Sequence, residues 1–178
     1  MQELSMNILD IAENSVKAGA QLISIILEYI DEANLYLTIE DNGKGMDKET
    51  VNMVINPFYT SRTTRKVGLG IPFMKMAAEL TGGSFEINSI LNEGTTVKAT
   101  FHYDHIDMVP LGNIGETMAT LIGSKPEIDF IYSIKKNGNE FNLDTRELRE
   151  IMGDVPLNSA EVSVFIRDYT NEHTENLE

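Results

Sequence analysis

The sequence predicts an α+β fold in two layers: a mixed, mostly antiparallel sheet with helices on one face, followed by a small C-terminal α+β extension. Three observations lead there. Apolar residues recur at helical spacing through Leu4, Ile8, Ile11, Ala12 and Val16, and again through Ile71, Met74, Ala77 and Ala78. Between and after these stretches lie short β-branched runs separated by Gly, Asn and Asp, the pattern of paired strands. The 178 residues, 42% of them hydrophobic, supply one good core, or a domain of about 100 residues with a smaller appendage.

Taken in order, residues 4–17 form the first predicted helix, with Gly19 stopping it and Asp10, Asn14 and Lys17 on one face. Residues 21–30 read as a buried strand around Ile23-Ser24-Ile25-Ile26-Leu27, and 33–41 as its antiparallel neighbour across Asp31-Glu32. Asp47 is placed to cap a short helix through Ile55. From Asn56 to Val67 the periodicity stops and the segment turns polar and basic, which suits a lid. A helix over 70–80 then ends at Gly82-Gly83, and strands 84–90 and 95–103 follow across Asn92-Glu93-Gly94.

A domain boundary is expected near residue 104, where the charge changes. Residues 104–178 carry 15 acids against 6 bases, whereas 1–103 carry 13 against 8. The acidic stretch predicts a helix over 115–122, a hairpin of 128–134 and 140–143 around Asn137-Gly138, and a helix over 145–152. Its last segment, from Ser159, stays open. Pro156-Leu157-Asn158-Ser159 starts a helix well, while Val162-Ser163-Val164-Phe165-Ile166 alternates as a strand would.

Composition excludes several kinds of chemistry. With no cysteine there are no disulfides, thiolate metal sites or thiol nucleophiles. A net charge of -14 repels phosphate backbones, so nucleic acid is not an expected partner. Any anionic ligand needs local positive charge, for which Lys17, Lys44, Arg62, Arg65 and Lys66 are the candidates. No stretch approaches the ~20 apolar residues of a membrane span, and the first residues lack the layout of a signal peptide. A soluble cytoplasmic protein of unspecified oligomeric state is the expectation.

The most informative stretch is Asp41-Asn42-Gly43-Lys44-Gly45-Met46, which follows the alternating run 34–40. A carboxylate delivered by a strand into a turn with two glycines suits an adenine: the acid accepts from the exocyclic amine, and bare backbone lets the ring lie close. Asp-Asn-Gly is also an ordinary hairpin turn. The adenine reading gains weight from an asparagine on the preceding helix, Asn14, and from a second glycine pair, Gly68-Leu69-Gly70, placed to cradle phosphates at a helix start. A neutral amide oxygen at Asn14 suits Mg²⁺ beside a triphosphate.

These motifs, in this order, resemble the boxes of the GHKL superfamily of ATP-binding domains, found in DNA gyrase, the large heat-shock chaperone, histidine kinases and mismatch-repair proteins. Asp10 to Ala20 resembles the N box, Asp41 to Gly45 and Val67 to Gly70 the two glycine boxes, Pro57-Phe58-Tyr59-Thr60-Ser61 the phenylalanine box, and Gly94-Thr95-Thr96-Val97 the closing strand. The resemblance covers the first ~103 residues and implies a Bergerat-type α/β sandwich that binds ATP with Mg²⁺. It implies Asn14 as the metal ligand, Lys17 toward the phosphates with Gly68, Leu69 and Gly70, and Asp41 with Gly43, Gly45 and Met46 around the base; of the lid bases Arg62, Arg65 and Lys66, at least one is expected to fold over the triphosphate, the alternative being solvated lid charges. Phe58 lies ahead of the lid, and Thr96, with Thr95 as its alternate, backs Asp41. Asp10, one helical turn before Asn14, stands where relatives carry the residue that activates the attacking group; base, metal support and structural roles are all open to an aspartate there.

His102, His105 and His173 sit in no context resembling a phosphoacceptor, so autophosphorylation within this chain is not expected. The implied activity is γ-phosphate cleavage or transfer on or toward a separate protein, engaged through residues 104–178. The alternative is a nucleotide-gated adaptor without significant turnover.

Overall fold

The computed structural model describes residues 3–31, 33–56 and 69–177. Phe58, Arg62, Gly68 and nearly all of the expected lid lie outside these residues. The elements run α1 (Leu4–Lys17), β1 (Leu22–Tyr29), β2 (Asn34–Asp41), α2 (Lys48–Ile55), α3 (Gly70–Leu80), β3 (Ser84–Ile90), β4 (Gly94–His102), α4 (Ile114–Ser124), β5 (Asp129–Lys136), β6 (Asn139–Asp144), α5 (Thr145–Met152) and α6 (Ala160–Leu177).

The strands form one six-stranded sheet in the order β3-β4-β2-β1-β5-β6. Every pairing is antiparallel except β1 with β5, which is parallel. Strand geometry sends alternate side chains to opposite faces. Ile23, Ile25, Leu27 and Tyr29 of β1 are buried on one face, continuous with Leu35, Leu37 and Ile39 of β2 and with Phe130, Tyr132 and Ile134 of β5. Burying each such side chain contributes about 1.5–3 kcal/mol relative to exposure. Helices α1, α3, α4 and α6 cover that face, with α1 lying between α3 and α4 and α6 beyond α4. This is the two-layer α+β sandwich, and its sheet carries the residues after 104 as β5 and β6, built directly onto β1.

Local signals are satisfied as physical chemistry demands. Asp47 accepts from the Thr50 backbone N–H at 2.8 Å, Asn113 from Glu116 N–H at 2.8 Å, and Asp144 from Arg146 N–H at 2.9 Å, capping α2, α4 and α5. The segment left open by its sequence is helical. In α6 the buried line is Val162, Ile166, Thr170 and Thr174, while Val164, which a strand would place on the same face as Val162 and Ile166, is exposed. Thr174 shares a 2.9 Å hydrogen bond with the Tyr132 hydroxyl, and Asn171 Oδ1 accepts from the Gly115 N–H at 2.7 Å, tying α6 to the sheet and to α4.

Candidate functional site

One row across the sheet holds the site. The strand register aligns Ser89, Thr95, Asp41, Ile23 and Phe130 on β3, β4, β2, β1 and β5, all on the helix-covered face. The next row, Ile87, Val97, Ile39, Ile25 and Tyr132, is apolar except for the tyrosine hydroxyl. Where the first row turns polar, the helices do not close over it. A cavity of about 720 Å³ lies there, walled by Ile11, Ile39, Val54, Ile71 and Val97 and edged by Asn14, Lys17, Asp41, Lys44, Met46 and Thr95. Apolar walls with a few convergent polar groups are the usual make-up of a small-molecule site.

Asp41 is fixed at both oxygens. Ser15 Oγ donates to Oδ2 at 2.6 Å, and the Gly43 N–H donates to Oδ1 at 2.8 Å. A carboxylate offers about four acceptor positions, so each oxygen retains one for a ligand donor. The turn after it is shaped by close backbone approach. Gly45 has φ +61, and a Cβ there would stand 2.0 Å from the Ile90 carbonyl oxygen. At Gly94, φ +138, a Cβ would stand 2.0 Å from the carbonyl oxygen of Asp41 itself. Met46 is half-buried on the cavity wall, and its N–H donates at 2.8 Å to Ser89 Oγ, which lies 2.9 Å from Thr95 Oγ1.

The register corrects one expectation. Thr96 pairs with Glu40 and points to the opposite face of the sheet, whereas Thr95 pairs with Asp41 and lines the cavity. Threonine 95 is therefore the hydroxyl beside the carboxylate; a shift of one residue reverses the face. Sequence reasoning missed Ser15 and Ser89. Ser15 completes the buried stripe of Ile8, Ile11 and Ala12 on α1, and a hydroxyl on an apolar helix face needs an acceptor, which was the available signal.

Asn14 is half-buried at the cavity edge, and Lys17 is well exposed beside it, 3.5 Å from Glu13. Lys44 stands at the cavity edge near the end of α1, its N–H donating to the Ala18 carbonyl and its carbonyl accepting from Asn92 N–H. Asp10 does not line the cavity. It sits where α1 meets the start of α3, so close that a Cβ on Gly70 would fall 2.6 Å from its own Cβ. Although Asp10 is exposed, desolvation by the neighbouring start of α3 pushes its carboxyl above the usual aspartate range, with Glu13 adding to the effect and Lys17 opposing it. Leu69 and Gly70 mark the first turn of α3, whose free N–H groups face an anion readily.

An open cavity over an antiparallel strand pair, a helix-borne asparagine and a glycine-shaped carboxylate define a nucleotide-binding sandwich. The chain belongs to the histidine kinase-, DNA gyrase B- and HSP90-like ATPase family, which residues 2–105 match. It is similar to the sensor histidine kinase YvrG of Bacillus subtilis, 36% identical over 83 residues that make up 44% of this chain and 14% of that protein. It is also similar to the sensor protein SrrB of Staphylococcus aureus, 35% identical over 101 residues, 54% of this chain and 17% of that one. The chain thus spans less than a fifth of the length of these curated relatives. In fold it resembles the crystallised N-terminal domain of a DNA repair protein, with a TM-score of 0.54 at 15% identity over 86% of this chain and 58% of that one. The protein is an ATP-binding, histidine-kinase-like domain. No described helix is long and apolar enough to cross a membrane.

Proposed function

We propose that this protein binds ATP with Mg²⁺ and cleaves or transfers the γ-phosphate, acting on or regulating a separate protein. The observation that carries the reading is Asp41, oriented by Ser15 and Gly43 at the polar end of an otherwise apolar sheet row and open toward the cavity. It accepts a hydrogen bond from the adenine amine, with the Thr95 hydroxyl beside it. The apolar walls exclude water from the ring. Asn14 is the residue to hold a magnesium ion, which when bound neutralises phosphate charge and polarises the bond to be broken. Lys17 and the backbone N–H groups at the start of α3 face the phosphates, while Gly68 and one of Arg62, Arg65 and Lys66 are assigned there from the sequence alone.

For Asp10 the reading favours a base. Asp10 stands against the start of α3, whose backbone N–H groups are assigned here to the phosphates, and a carboxyl raised by desolvation holds a proton better than an ordinary aspartate. Asp10→Asn is expected to preserve ATP affinity while lowering turnover at least ~100-fold; unchanged turnover removes Asp10 from the mechanism. The governing experiment follows γ-labelled ATP and Mg²⁺ with the full chain in lysate. Label on free phosphate reads as hydrolysis and label on another protein as a kinase. Tight ATP binding with no label movement would replace both with a nucleotide-gated adaptor.

A further inference from the structure

The sheet ends in β6, which pairs with β5 alone. Among the described residues no strand lies along its other edge. Beside that edge runs one flank of α6, and the flank is aromatic. Phe165 stacks on Tyr169 at 5.2 Å between ring centroids, Tyr169 meets Phe141 of β6 at 5.3 Å, and His173 lies 4.5 Å from Phe141. Phe141 is buried, but Phe165 is 41% exposed and Tyr169 36%, so the row offers its outer ring faces to solvent.

On α6 the charges near the row are acidic but for Arg167. Glu161 lies one turn before Phe165, Glu172 one turn after Tyr169, and both are exposed. Asp168 lies one turn after Phe165. Arg167, the one basic residue of α6, is already held by Asp168 at 2.8 Å. The bases of β5 and α5 are likewise engaged: Arg146 by Asp144, Arg149 by Asp129, Lys135 by Glu140, and Lys136 over the Tyr29 ring. Aromatic faces attract cations, and uncompensated carboxylates beside them add to that attraction. An open strand edge accepts an extended chain through main-chain hydrogen bonds, with specificity read from alternate side chains.

We propose that the β6 edge and the Phe165–Tyr169–His173 flank of α6 form a docking groove for an extended partner segment whose alternate residues are arginine or lysine. The segment adds as a seventh strand beside β6 and lays its cations against the rings, within reach of Glu161 and Glu172. This rests on the reading that residues 104–178 meet a protein partner, and it assigns that partner a chemistry. It also places the groove three strands from the Asp41 pocket, so the two sites are open at once.

The test uses the full chain and a labelled peptide, (Arg-Val)₄, followed by fluorescence anisotropy at low salt without nucleotide. Binding is expected to weaken as salt rises, and to fall ~10-fold with Tyr169→Ala and with Phe165→Ala. A Glu161→Gln, Glu172→Gln double variant, which leaves the rings and their packing in place, is expected to weaken it ~5-fold. A peptide with proline in place of two valines should lose most affinity, and (Glu-Val)₄ should not bind. No binding of (Arg-Val)₄, equal binding by the ring-less and charge-less variants, or equal binding of the proline peptide would overturn the groove. So would a dimer of the chain that Phe165→Ala dissociates, since the edge would then serve a second copy. ATP binding is read in parallel on the same samples. Failure of the peptide with intact ATP binding rejects the groove alone, and absence of ATP binding by the unsubstituted chain rejects the nucleotide reading alone.

Discussion

The two halves of the sheet are built on the same alternation and serve opposite ends. From β1 toward β6 the helix-facing row stays apolar and is sealed by α4 and α6, and Phe130 and Tyr132 there are fully buried. From β1 toward β3 the same row becomes Asp41, Thr95 and Ser89, and the helices leave a cavity above it. The candidate site is a sheet row in which polar side chains that satisfy each other stand where the other half has apolar ones. Carboxylate and hydroxyls are tolerable at that depth because each has a partner: Ser15 for Asp41, and Ser89 for Thr95.

Four experiments would break or sharpen that contrast, beginning with the largest effect. Phe130→Ala on the sealed side should cost about 3–5 kcal/mol in urea unfolding while ATP affinity at 25 °C changes little in the molecules that remain folded. A second transition in that variant would show that the halves unfold separately, breaking the picture of one sheet. On the open side, Asp41→Asn should leave stability nearly unchanged and weaken ATP binding ~10- to 100-fold by calorimetry; undiminished binding would move the site away from this row. Thr95→Val should weaken ATP ~5-fold and Thr96→Val not at all, and the reverse order would refute the register as the selector of the hydroxyl.

The smallest effect concerns protons. Hydrogen bonds from Arg146 hold the Asp144 carboxyl below the usual range, so its contribution is complete above the ordinary aspartate value and disappears as pH falls through the lowered one. Asp144→Ala should cost about 1 kcal/mol at neutral pH and flatten the acid limb of stability. Asp10 runs the other way. Its raised value means a contribution present below the ordinary aspartate value and lost as pH rises through the raised one. Asp10→Asn should therefore steepen the net fall of stability on acidification, read by unfolding at a series of pH values.

Much of this was legible in the sequence, and the gaps have physical causes. The helices α1, α3 and α5 and the strand pairs show their periods within 8–14 residues, where local pattern and packing agree. Asp41 and the glycines after it stood out because turn chemistry limits which residues fit, and Asn14 because it lies on the helix preceding that turn, which brings both to the cavity edge. Thr95 and Thr96 could not be separated, since one residue of register across the Asn92-Glu93-Gly94 turn decides which faces the cavity. Val162 to Ile166 alternates like a strand, and its helix declares itself only through Thr170 and Thr174, which are buried despite being polar. The parallel pairing of β5 with β1 has no local sign at all, because Leu22 meets Asp129 across 107 positions (129 less 22).

That last pairing has a consequence in time. All four strands around the pocket have been synthesised once His102 is made, but β5 ends at Lys136, 34 positions later (136 less 102). At about 5–20 residues per second the ribosome takes roughly 2–7 s over that interval. Through it the apolar strand Leu22–Tyr29 has β2 on one side and a bare edge on the other. The nascent chain is thus most prone to wrong pairing after the cavity has its strands and before its sheet is complete, and anything bound early in that cavity would lend stability during those seconds.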